Sequence, residues 1–137
     1  MKKNILMLFL ALLTVTATTF AQQKKNTIEV LYFKANLACC KAKACNNLEA
    51  NVKSIVEKNW ADGSVTFRQV KLSDTLNNEL IKKYNAQSQT LVIVKTYKKK
   101  TTSVDISPIL KEFAKTNDTT KFKSEFTAKV NEVIKQK

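Results

Sequence analysis

All three cysteines of this chain, Cys39, Cys40 and Cys45, fall within one short run, CCKAKAC, and the chain has no histidine. Closely spaced thiols support two chemistries. A thiolate attacks a disulfide and a second thiol resolves the mixed product, or several thiolates close around a soft ion. Three thiols cannot all pair within one chain, so one is free, bonded to another chain, or used in chemistry. The lack of histidine, a single glycine and the absence of any phosphate-cradling loop argue against hydrolase and nucleotide-dependent functions.

The residues on either side say what must hold the thiols. Ahead of them, TIEVLYF (Thr27 to Phe33) is apolar on both alternating faces, the pattern of a central strand buried on two sides. Behind them, Cys45, Leu48, Val52, Ile55 and Val56 recur at spacings of three and four, which predicts an amphipathic helix from Ala44 to near Asn59. The cysteines are therefore expected at a strand exit and a helix start, where the helix dipole and Lys41 and Lys43 favour a thiolate.

The rest of the chain predicts a strand over Ser64 to Leu72 after an Asp62-Gly63 turn, then a helix capped by Ser73 with Leu76, Leu80, Ile81 and Tyr84 on its inner face. Gln89 to Tyr97 reads as an apolar strand, Lys98 to Lys100 as a hairpin turn, and Thr101 to Ile106 as its partner. Ser107-Pro108 opens a helix through Phe113. A break at Asn117-Asp118 precedes a terminal helix carrying Phe122, Phe126, Val130, Val133 and Ile134 on one face. Strand-helix-strand implies a parallel, right-handed crossover, and the hairpin adds an antiparallel edge. The expected fold is α/β: a mixed four-stranded sheet with helices on both faces.

At the N-terminus, Lys2 and Lys3 precede an apolar run shorter than the roughly 20 residues that span a bilayer, and Thr19-Phe20-Ala21 supplies a cleavage site. This pattern predicts a signal peptide over 1–21, a disordered lead-in over 22–26 and one domain over 27–137, exported, with the periplasm as destination. Removing the two leader lysines takes the net charge from +13 to +11. Such a field favours weak contact with an anionic membrane surface. The lysines lack the interleaved aromatics of a base-stacking surface, which argues against nucleic acid.

Tyr32 to Ser54, Lys82 to Lys95 and the hairpin and helices after them resemble the thioredoxin fold, and more narrowly the ArsF family of small exported thioredoxin-like proteins, whose label is tied to a nitrophenyl compound nitroreductase subunit. The resemblance is carried by Cys45 with Leu48-Glu49-Ala50-Asn51 and by the strand at Leu91 to Val94. It implies that Cys45 is the second cysteine of a C-x-x-C pair. Two departures stand beside it. The position three residues before Cys45 is Ala42, and where the fold usually carries a cis-proline this chain has Ser88-Gln89-Thr90. Nothing in these residues binds a flavin or an aromatic nitro compound, so no cofactor is expected.

On this resemblance the chain is expected to act in thiol-disulfide exchange with a thiol- or disulfide-bearing protein partner. Cys40, or Cys39 in its place, exchanges with the partner, and Cys45 resolves. Residues five apart on a continuous helix are about 8 to 9 Å apart, beyond the usual disulfide limit of roughly 7 Å, so Cys40 reaches Cys45 only if Lys41 to Ala44 leave the helix. A second reading makes Cys39, Cys40 and Cys45 a soft site for Cu(I), Zn or trivalent arsenic. A third gives one structural disulfide, contributing about 2 to 3 kcal/mol, with the odd thiol inert or linking two copies. Glu49 is either a proton acceptor for exchange or an exposed helix carboxylate. Trp60 is expected to pack, and Asp105 and Asp118 to serve turns and caps.

Overall fold

The computed structural model describes residues 27–36 and 39–136, with the side chains of residues 39–42 outside that description. The expected leader and lead-in lie outside the described residues. Strand β1 (Thr27–Lys34) is followed by α1 (Cys39–Asn59) and β2 (Val65–Lys71). A short 3-10 turn (Thr75–Asn77) leads into α2 (Asn78–Lys83), and β3 (Leu91–Tyr97) and β4 (Lys100–Asp105) form a hairpin before α3 (Ser107–Thr116) and α4 (Thr119–Lys135).

The sheet order is β2-β1-β3-β4. Strands β1 and β2 run parallel, with Tyr32 opposite Gln69. Strand β3 is antiparallel to both β1 and β4, so the reversal falls inside the sheet as well as at its edge. This is a thioredoxin-like sheet, and β1 and β3 are its two inner strands, buried on both faces.

Alternation along those two strands divides the core. Ile28, Val30, Tyr32, Leu91 and Ile93 face α1, α3 and α4, meeting Leu48, Val52, Leu110, Phe122 and Phe126. Leu31, Phe33, Val70, Val92 and Val94 face the other way, onto Leu80, Ile81 and Tyr84 around α2. Trp60 packs as expected, its ring edge-on to Phe126 with centroids 6.5 Å apart. Burying side chains of this size stabilises by about 1.5–3 kcal/mol each.

Four local expectations change. Helix α1 begins at Cys39 rather than Ala44, because Lys41, Ala42, Lys43 and Ala44 are all good helix formers. Asp74, not Ser73, caps the segment after β2, its carboxylate accepting from the Leu76 amide at 3.0 Å. The tight first turn this produces leaves Leu76 90% exposed instead of inward. At the far end, Ile134 is turned partly to solvent as α4 runs out. The Asp118 cap is present, accepting from the Lys121 amide at 2.9 Å. No helix among the described residues is long and apolar enough to cross a membrane.

Candidate functional site

Cys45 lies in the second turn of α1, and its inward position in the Leu48-Val52 stripe leaves it 2% exposed. The sequence placed the thiols in a loop at the positive mouth of a helix. With α1 starting at Cys39, Cys45 instead lies past the first turn, within which the dipole acts. The side chains of Cys39 and Cys40 lie outside the described residues. Their backbone belongs to the same helix, so the about 8 to 9 Å that ideal helical geometry puts between positions 40 and 45 applies here.

Two elements reach Cys45 from outside its helix. From β1, the buried Tyr32 hydroxyl donates to the Cys45 carbonyl oxygen at 3.1 Å. From the loop before β3, the Gln89 side-chain amide donates to Cys45 Sγ at 3.1 Å. One turn further along α1, Glu49 accepts from Lys34 Nζ and from the Gln69 amide, each at 2.6 Å. Burial, reinforced by the negative charge available on Cys45 and on Glu49, pushes the Tyr32 hydroxyl well above the ordinary phenol range. That tyrosine remains a donor throughout the pH range in which a thiol is used.

Glu49 is not an exposed helix carboxylate. Its side chain is 17% exposed and ion-paired with Lys34, which is 26% exposed. Position i+4 from Cys45 on one helix places the two side chains on the same face. Lys34 and Gln69 were not legible as partners, because only the parallel register of β1 with β2 brings them to the same helix.

The loop before β3 carries Ser88-Gln89-Thr90 where the fold it resembles usually has a cis-proline, and the described residues contain no cis peptide. Gln89 instead adopts φ of +67°, a conformation uncommon for a residue with a side chain. It is held there because its backbone amide donates to Phe33 O and Phe33 N donates to Thr90 O, both at 2.9 Å. The adjacent Ser88 hydroxyl is buried without a hydrogen-bond partner. Unpaired buried groups are rare enough to mark a loop whose shape is imposed from elsewhere.

Beside this loop is a cleft of about 510 Å³ between α1 and the α3–α4 junction. Gln89 is part of its wall, together with Asn47, Asn51 and Asn117, over Leu48 and Phe113.

No family model matches the chain. No curated protein matches it either. A solved structure, of a malarial protein, aligns over 58% of this chain and 81% of its own length at 23% identity, with a TM-score of 0.39. A likeness of that size carries no argument, and the fold rests on the strand order itself. Among the described residues no group of three or more Cys, Asp or Glu side chains could hold a metal ion.

Proposed function

We propose that this chain is an exported thioredoxin-like protein acting in thiol-disulfide exchange through Cys39, Cys40 and Cys45, with the periplasm as its site of action. The observation that carries the reading is the hydrogen bond of 3.1 Å from the Gln89 amide to the buried sulfur of Cys45, at the head of a thioredoxin-like sheet. The contact holds the sulfur at the head of the sheet, beneath the loop that precedes β3. The leader-like N-terminus and the resemblance to the ArsF family support the same reading.

In the reducing direction, the Cys40 thiolate attacks one sulfur of a partner disulfide. One S–S bond forms as the other breaks, and the partner's second sulfur leaves as a thiolate. Cys45 then attacks the Cys40 sulfur of the mixed disulfide, releasing the partner as a dithiol and leaving a Cys40–Cys45 disulfide, with two electrons transferred. Because positions 40 and 45 are too far apart on a helix, this second step unwinds the first turn of α1. A thiol reductant returns the chain to its starting state.

The test is disulfide reduction by the mature chain, with insulin as substrate and dithiothreitol as reductant, beside Cys40→Ala and Cys45→Ala. Turnover that falls in both variants is the expected result. Turnover equal in all three proteins would overturn the reading.

A further inference from the structure

At the end of the sheet remote from Cys45, a cleft of about 410 Å³ lies where β1 begins and where β3 and α4 end, with Ile28, Lys95, Tyr97, Ile134 and Lys135 in its wall. Among the described residues three large hydrophobic side chains are exposed, and two of them, Tyr97 at 36% and Ile134 at 39%, line this cleft. The buried Lys95 makes them neighbours. Its ammonium, two residues before Tyr97 on β3, donates to the carbonyls of Val133 and Ile134, each at 2.9 Å, and so clamps the end of α4 against the strand.

Lysines surround this pair. Lys98 Nζ is 5.2 Å from the centre of the Tyr97 ring. Lys100 stands directly opposite Tyr97 in the β3–β4 pairing, which puts both side chains on one face of the sheet. Lys99 completes the turn between them, and Lys135 is in the cleft wall itself. The acidic Glu29 and Asp62 line a neighbouring cleft that shares Ile28 and Ser64. Alternation along β1 sends Glu29 to the opposite face of the sheet from Ile28.

We propose that this end of the molecule docks on a bilayer containing anionic phospholipid, with Tyr97 and Ile134 entering the interface and Lys98, Lys99, Lys100 and Lys135 meeting the headgroups. A tyrosine has an apolar ring and a polar tip, the combination that settles at headgroup level. Lysines cover apolar surface with their stems while the ammonium stays in water, and each adds roughly fivefold in affinity for an anionic surface. A soluble acidic partner satisfies the lysines alone, whereas an anionic bilayer takes the lysines and the apolar pair together. Ile28, in the cleft, and Tyr32, bonded to Cys45, are about 13 Å apart along one strand. Docked in this way, the chain keeps the Cys45 end of its sheet directed away from the lipid. The docking does not depend on thiol exchange.

The experiment is flotation of the mature chain with vesicles of phosphatidylcholine alone and with vesicles containing about 30 mol% phosphatidylglycerol, in about 0.1 M salt, where charges act over about 10 Å. The chain should float with the anionic vesicles and stay behind with the neutral ones. Lys98→Gln with Lys100→Gln should weaken binding about tenfold or more. Lys111→Gln with Lys115→Gln removes the same charge from exposed positions of α3 and should change binding by less than about twofold. Tyr97→Ser with Ile134→Ser keeps every charge and should lose about tenfold. Equal binding to the two kinds of vesicle, no binding to either, or equal weakening by the two lysine pairs would overturn the proposal. Undiminished binding by the serine variant would overturn it as well, and would make this end a site for a soluble acidic partner.

Discussion

The hydroxyl of Tyr32, at the end of a central strand, donates at 3.1 Å to the backbone carbonyl of Cys45 in the second turn of α1. This contact fixes the depth and rotation at which the helix delivers its sulfur beneath the loop carrying Gln89.

Tyr32 also makes stability pH-dependent on the alkaline side. Its folded-state pKa is raised above the ordinary 10.0, so as pH climbs past 10 the unfolded chain releases this proton while the folded chain keeps it. Stability is then intact below about pH 10 and falls above it, by up to roughly 1.4 kcal/mol per pH unit for one proton. Urea midpoints measured between pH 8 and 11.5 should show this decline, and Tyr32→Phe should flatten it while costing about 1 kcal/mol at neutral pH.

Glu49 joins α1 to both β1 and β2. Glu49→Gln leaves the Lys34 ammonium without its ion pair in a partly buried setting, and the expected loss is about 1–3 kcal/mol in chemical denaturation. If Glu49 accepts the Cys45 proton during exchange, turnover at fixed pH should fall further than stability accounts for, and Glu49→Asp should restore part of it. Equal turnover in wild type and Glu49→Gln would confine this residue to a structural role.

Lys95 is a buried lysine that closes the end of α4. Its amine donates to the carbonyls of Val133 and Ile134, each at 2.9 Å, and to that of Gln136. A cation at a helix C-terminus meets both the unpaired carbonyls and the negative end of the dipole. Lys95→Met should cost about 2–3 kcal/mol. Hydrogen exchange should become faster in the last turns of α4 and stay unchanged in α1.

The β3–β4 hairpin turns through Lys98 and Lys99 at φ +45° and +71°. Two consecutive positive φ values mark a turn that favours Asn-Gly. Lys98→Asn with Lys99→Gly should raise the thermal midpoint, corresponding to about 1 kcal/mol. A lowered midpoint would show that the Lys98 contact with the Tyr97 ring, at 5.2 Å, outweighs the backbone strain.

Much of the fold follows from local chemistry written along the chain. The double-sided apolar character of β1 and β3 required them to be inner strands, and the spacing of Cys45, Leu48, Val52 and Val56 required α1 to bury that face. Such patterns are legible because burial acts residue by residue with a fixed period. Helix boundaries were less legible: Leu76 fits the apolar period, yet the Asp74 cap tightens the chain ahead of it and turns it outward.

The three cysteines and the order of elements around them were determined by the sequence alone. What surrounds Cys45 was decided by tertiary structure. Gln89 is 44 positions away along the chain, and its amide reaches the sulfur only because β3 pairs with β1 and locks the preceding loop against Phe33. Glu49 meets Gln69 only because β2 lies parallel to β1. Contacts between distant segments depend on register and on backbone conformations imposed by neighbours, and no periodicity within a single segment encodes them.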